Sequence, residues 1–219
     1  MKADFISALW QMIPVRLIDE DGRNYIVYGN DEIWITELNE DLTAPKKDGL
    51  HRLLVSDHKN PELGYEGSHI QKINGYYYIF LIHSLRDRWM RTEACFYSDS
   101  LEGEFTGGDV LCDDRGYCGQ GVAQGGIVDT PDGKWYAMLF QDSGAVGRLP
   151  ILLPVTWKDH FPVFGQNGHV PEEIEVHSTR PGYIYQPLVG SDDFCNGLLP
   201  RWQFNHDPDP RYYHLDALQ

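Results

Sequence analysis

Three residues stand nine positions before a turn glycine: Ile13 before Gly22, Glu66 before Gly75 and Gln124 before Gly133. Only Glu66 is ionisable. It opens the apolar stretch YEGSHIQKINGYYYIFLI, where an acid is costly unless it is solvated, paired or used. A carboxyl group partly shielded from water can hold a proton near neutral pH and act as a general acid. Protonating a leaving oxygen in this way is half of glycoside cleavage, which needs a second carboxyl group to activate water or attack the sugar. The bland alternative makes Glu66 an exposed turn residue or the ion-pair partner of Arg148. Arg148 ends the segment QDSGAVGR, from which it could be aimed at ligand hydroxyls or at a structural carboxylate.

Other motifs carry less. GQGVAQGG precedes a strand rather than opening a helix and lacks the Lys-Ser/Thr end of a phosphate loop, so it reads as a bend. DEDG begins like a calcium loop without its closing glutamate and reads as a turn. The nine histidines show no paired-ligand spacing, which argues against a zinc site built by the protein. The tryptophans could stack on sugar faces, but strand aromatics belong by default to a core.

The elements that must position Glu66 repeat along the chain. PVRLIDEDGRNYIVYG, SHIQKINGYYYIFLI and GGIVDTPDGKWYAMLF each join two strand-like runs through Asp-Gly or Asn-Gly, the pairs that favour a type I′ hairpin turn. The turn glycines are 53 and 58 residues apart, with further strand candidates EIWITEL, TEACFYSDS and LPILLPVTW between or after them. A period of roughly 50 residues built from antiparallel strands is the signature of a β-propeller blade. Three unrelated hairpins in a sandwich are the alternative. In a propeller, Ile13, Glu66 and Gln124 would each stand at the head of an innermost strand, facing the central channel.

Composition narrows the partners. A formal charge of −15 argues against binding a phosphate backbone and suits a neutral or cationic small partner. MKADFISALWQMI lacks the apolar core and cleavage site of a signal peptide, and the longest apolar runs are strand-sized rather than membrane-spanning. Four cysteines in 219 residues are too few for a disulfide scaffold and read as free thiols.

EGSHIQKINGYYYIF, RTEACFYSDSLEGEF, GVAQGGIVDTPDGKWYAMLFQDSGAVGR and PILLPVTWKDHFPVFG together resemble glycoside hydrolase family 43, over about Asp19 to Gly165. The resemblance is to the xylosidase and arabinofuranosidase branches that carry a C-terminal β-sandwich, whose opening SDDFCNGLLPRWQFNHDPDPRYYHL is similar to. It implies a five-bladed propeller that releases terminal xylose or arabinose with inversion, using an aspartate base, an aspartate that tunes the acid, and a glutamate acid. Glu66 falls on the acid, in EGSH where the family usually has Glu-Gly-Pro-His. Arg148 falls on an arginine near the terminal sugar. Gln124 falls where many members carry a histidine associated with a central calcium ion; related branches have glutamine there, and no cofactor is expected. The blade with the base would precede Met1, and the tuning aspartate is replaced by Ile13 in MIPV.

The expectation is therefore an all-β, incomplete five-bladed-type propeller of about three blades over residues 1–165. A linker over 166–190 and the start of a truncated sandwich over 191–219 would follow. The expected activity is hydrolysis of xylose- or arabinose-containing glycans, impaired in this chain by the absent base and by Ile13. Glu66 would be the acid, with Arg148 and Gln124 binding substrate. A non-catalytic sugar-binding propeller, or a gene fragment without its own function, are the other readings. Neither nucleic acid nor membrane is an expected partner, whereas self-association through open propeller edges is. Any export signal would lie upstream, and a full-length relative fits the periplasm or the cell exterior.

Overall fold

The computed structural model describes residues 15–176 and, beyond them, 178, 180–184, 187, 190–199, 202, 204, 209–212 and 214. Ile13 and Pro14 lie outside the described residues. The chain divides into two compact units, Met1–Glu175 and Val176–Gln219, a division ten residues beyond the expected end of the propeller.

The described part of the first unit is three four-stranded antiparallel meanders. The first holds β1 (Val15–Ile18), β2 (Asn24–Asn30), β3 (Glu32–Glu37) and β4 (His51–Ser56). The second holds β5 (Glu66–Ile73), β6 (Tyr76–Ser84), β7 (Arg91–Ser98) and β8 (Thr106–Leu111). The third holds β9 (Ala123–Asp129), β10 (Trp135–Asp142), β11 (Arg148–Lys158) and β12 (Phe161–Phe164). Each sheet pairs its strands in chain order, and β5 touches both β1 and β9, so the leading strands gather together. This is the layout of consecutive propeller blades.

The apolar patterning follows from which faces are covered. Leu17, Tyr25, Val27, Ile33 and Ile35 of the first sheet pack with Ile70, Tyr77, Ile79 and Leu81 of the second. Tyr78, Phe80, Cys95 and Leu111 turn the other way and pack with Ile127, Leu139, Leu153 and Phe164 of the third. The middle sheet is thus buried on both sides, which is why β6 reads YYYIFLI without alternation. The third sheet has one covered face: Val128, Met138 and Val163, on the side away from the second sheet, are exposed.

Two of the three turns differ from the expected type I′ pattern. Only Asn74-Gly75 has both central residues at positive φ, with Ile73 paired directly to Tyr76. At Gly22 and Gly133 only the glycine is left-handed. There the loop is longer: the Gly22 N–H donates to the Asp19 carbonyl and the Gly133 N–H to the Thr130 carbonyl. A type I turn followed by a left-handed glycine closes such loops, so the aspartate keeps an ordinary conformation.

Polar links also tie sheet to sheet. The buried Asp19 carboxylate, in the β1–β2 turn, accepts hydrogen bonds from Tyr77 Oη at 2.6 Å and Lys72 Nζ at 2.9 Å. Burial pushes this carboxyl up, but the Tyr77 and Lys72 donors outweigh it and leave the group below its ordinary value. The guanidinium of Arg52 reaches from β4 to the Leu101 and Gly103 carbonyls in the β7–β8 turn.

In the second unit the described residues form turns and one 3-10 turn, Pro210–Tyr212. Trp202 Nε1 donates to Asp192 Oδ2 at 2.6 Å, and its ring lies 5.3 Å from that of Phe194.

Candidate active site

Glu66 is the first residue of β5 and Gln124 the second of β9, the heads of two leading strands. The first sheet anchors β5: the Asp31 N–H donates to the Tyr65 carbonyl at 2.8 Å, just before Glu66. The strand then bulges between Glu66, paired to Ile82, and His69, paired to Phe80. The bulge turns on Gly67 at φ +62°, where a side chain would also overlap the Gln124 amide. Half-buried Glu66 therefore stands on a kink that the third sheet holds in place, and its Oε2 accepts a hydrogen bond of 3.4 Å from Asn30 Nδ2.

Gln124 is itself left-handed, at φ +64°. Its backbone N–H donates to Glu93 Oε2 at 2.6 Å. Glu93 is fully buried on β7 and pairs with Ile82, as Glu66 does, so the two acids lie in one cross-strand row. Two strand spacings put their backbones about 10 Å apart. Burial pushes the Glu93 carboxyl well above its ordinary range, outweighing the Gln124 N–H and nearby Arg91. Its Oε1 has no hydrogen-bond partner.

Arg148 begins β11 opposite Asp142 at the end of β10. Its Nε lies 3.2 Å from Asp142 Oδ1, and its guanidinium 4.6 Å from the centre of the Phe140 ring. Arg91, buried at the start of β7, pairs with the other Asp142 oxygen and lies 4.9 Å from the same ring. Burial lowers the Arg91 pKa against the field of Asp142, yet a guanidinium keeps its charge. Arg91 also lies within electrostatic range of Glu66, Glu93 and Arg148. One carboxylate held by two cations thus fixes Arg148, whose side chain is 62% exposed, as a donor facing outward.

Arg148 accordingly pairs with Asp142, and Glu66 takes its hydrogen bond from Asn30. Arg91, Glu93 and Asp142 were not among the site residues expected from the sequence. Glu93 carried the signal that marked Glu66, an acid inside an apolar strand. Asp142 was visible only as a member of QDSGAVGR, and Arg91 had no signal apart from its neighbours. Among the described residues no group of three or more His, Cys, Asp or Glu could hold a metal ion. Gln124 sets its amide nitrogen against Gly67.

Residues 5–162 match the family model described as Glycosyl hydrolases family 43. The chain belongs to this family. A solved structure described as a bifunctional GH43-CE protein of Bacteroides eggerthii is 40% identical with a TM-score of 0.76, over 93% of this chain and 26% of that one. A beta-xylosidase of Formosa agariphila is 29% identical over 70% of this chain and 29% of its own length. A non-reducing end alpha-L-arabinofuranosidase of Bacteroides ovatus is 27% identical over 68% of this chain and 30% of its own length. The chain therefore spans about a third or less of these family 43 relatives.

The buried acid gives a pH prediction. The unfolded chain ionises Glu93 above its ordinary value of 4.5, whereas burial makes the folded chain hold the proton to higher pH, so rising pH favours unfolding. Glu93→Gln keeps an acceptor for the Gln124 N–H and removes this penalty. In urea titrations, the stability of Glu93→Gln relative to wild type is expected to grow as pH rises above 4.5, by at most about 1.4 kcal/mol per unit. Parallel pH profiles would show that Glu93 is ionised in the fold.

Proposed function

We propose that this chain carries the proton-donor side of a site that hydrolyses O-glycosyl bonds of terminal xylose or arabinose in xylan-type glycans. The observation that carries the reading is Glu66: a half-buried carboxyl group on a kink at the head of a leading strand, gathered with Arg148 and Gln124. In a single displacement Glu66 gives its proton to the glycosidic oxygen as that bond to the anomeric carbon breaks. Water adds to the opposite face of the sugar and loses its proton to a base. Arg148 donates to hydroxyls of the terminal sugar, and Gln124 borders the same space.

Neither acid grouped with Glu66 around Arg91 suits the role of base. Glu93 is fully buried, with its carboxyl pushed well above the ordinary range, and Asp142 is held by two guanidiniums. The 219-residue chain is therefore expected to turn over xylobiose or nitrophenyl arabinofuranoside slowly, and to release the sugar with inverted configuration. Proton NMR of the first product reads the anomer directly. A retained anomer would overturn the single-displacement reading, and rapid turnover would show that a base is present. The similarity of residues 191–219 to the opening of a C-terminal sandwich belongs to the same proposal.

A further inference from the structure

Asn30 pairs directly with Glu32, so Asp31 alone makes the turn from β2 to β3. Asp31 is left-handed, at φ +64°, and Gly29 lies at φ +142°, where a side chain would overlap the Glu32 carbonyl. The loop between β4 and β5 grips this tip. The Asp31 N–H donates to the Tyr65 carbonyl, and the Asp31 carbonyl accepts the Asp57 N–H, both at 2.8 Å. Gly64 leaves room for the Asp31 carboxylate, which a side chain there would overlap. Main-chain bonds on either side thus fix Asn30, and none of them uses its side chain.

That side chain has another destination. Turn asparagines ordinarily bond their own chain close by. Asn39 does so: its Oδ1 accepts the N–H groups of Thr43 and Ala44. Asn30, although exposed, crosses to the second sheet and donates from Nδ2 to Glu66 Oε2 at 3.4 Å. Among the described residues it is the one hydrogen-bond partner of the Glu66 carboxyl group. Hydrogen bonds of catalytic groups are often this long before substrate binds and tighten in the transition-state complex.

An amide N–H only donates, so the oxygen facing it must accept. With Oε2 engaged in this way, the acidic proton of Glu66 is left on Oε1. When that proton passes to the glycosidic oxygen and the bond to the sugar breaks, Glu66 becomes a carboxylate. A hydrogen bond to an ionised acceptor is roughly twice as strong as one to a neutral group. The Asn30 bond therefore strengthens as the reaction proceeds, and an interaction of that kind raises kcat rather than lowering KM. We propose that Asn30 is the positioning residue of the proton donor: its amide orients Glu66 through Oε2 and stabilises the carboxylate left behind. The proposal rests on the reading of Glu66 as a glycosidase acid.

Two measurements on the full chain test it. The first is a carbon-13 NMR titration of the Glu66 carboxyl group. Removing a donor that favours the charged form should raise the midpoint by about half a pH unit to one unit in Asn30→Ala. Asn30→Asp should raise it further, because a second carboxylate opposes ionisation. The charged or titratable groups on the elements around Glu66 stay the same in both variants: His69 on β5, His83 on β6, Arg91 and Glu93 on β7, and the Asp142–Arg148 pair. The second measurement is xylobiose hydrolysis, in which Asn30→Ala should lower kcat about tenfold and leave KM and the melting temperature alone. Midpoints equal to wild type, or an unchanged kcat in Asn30→Ala beside an impaired Glu66→Gln, would overturn the role of Asn30 and leave Glu66 as the acid. A loss shared by KM and melting temperature would also overturn it, since Asn30 would then shape the fold. Undiminished hydrolysis by Glu66→Gln would overturn the reading of Glu66, and the role of Asn30 with it.

Discussion

Replacing Glu66 by glutamine is expected to lower xylobiose hydrolysis about 10²- to 10⁴-fold, the usual weight of general acid assistance. The substitution keeps the size of the side chain and an oxygen that can accept the hydrogen bond from Asn30 Nδ2, now 3.4 Å away. It removes the transferable proton. A sugar alkoxide is a poor leaving group, so the whole of that loss should appear in the rate, with little change in KM. The fold should not suffer, since the Gly67 kink is held by Gln124 and by the Asp31–Tyr65 link rather than by the carboxyl group. Equal melting temperatures for the two proteins would confirm that the loss is chemical.

Replacing Arg148 by alanine is expected to act through binding. Losing a hydrogen bond from a charged donor costs about 1.5–3 kcal/mol, which is roughly 10- to 100-fold in KM. The side chain is 62% exposed, and Asp142 keeps its second cation, Arg91, so stability should change little. Lysine should rescue poorly, because the guanidinium carbon lies over the Phe140 ring, 4.6 Å from its centre, and an ammonium group lacks the forked donors that can hold Asp142 and a sugar together. A fall in kcat with unchanged KM would mean that Arg148 acts on the transition state alone.

The repeat at Gly22, Gly75 and Gly133 revealed three antiparallel sheets because each turn glycine is left-handed in the fold, whichever turn it closes. The continuous run YYYIFLI was legible as a buried strand, and its cause is a sheet covered on both faces. Glu66 and Gln124 were legible because the period places both at strand heads. Their mutual support was not, since it needs the Gly67 bulge and a Glu93 hydrogen bond that spans two sheets. Arg148 was legible as the cation closing QDSGAVGR, with a structural carboxylate as one of its two expected partners, yet Asp142 could be chosen only once the β10–β11 register was known.

The most direct test of Glu66 as proton donor is the dependence of rate on leaving group, measured for wild type and Glu66→Gln across aryl xylosides of rising phenol pKa. With an acid in place the rate should fall only gently along the series. Without it, the poorest leaving groups should lose about 10²-fold or more while nitrophenyl xyloside loses far less. Parallel dependences in the two proteins would contradict the assignment.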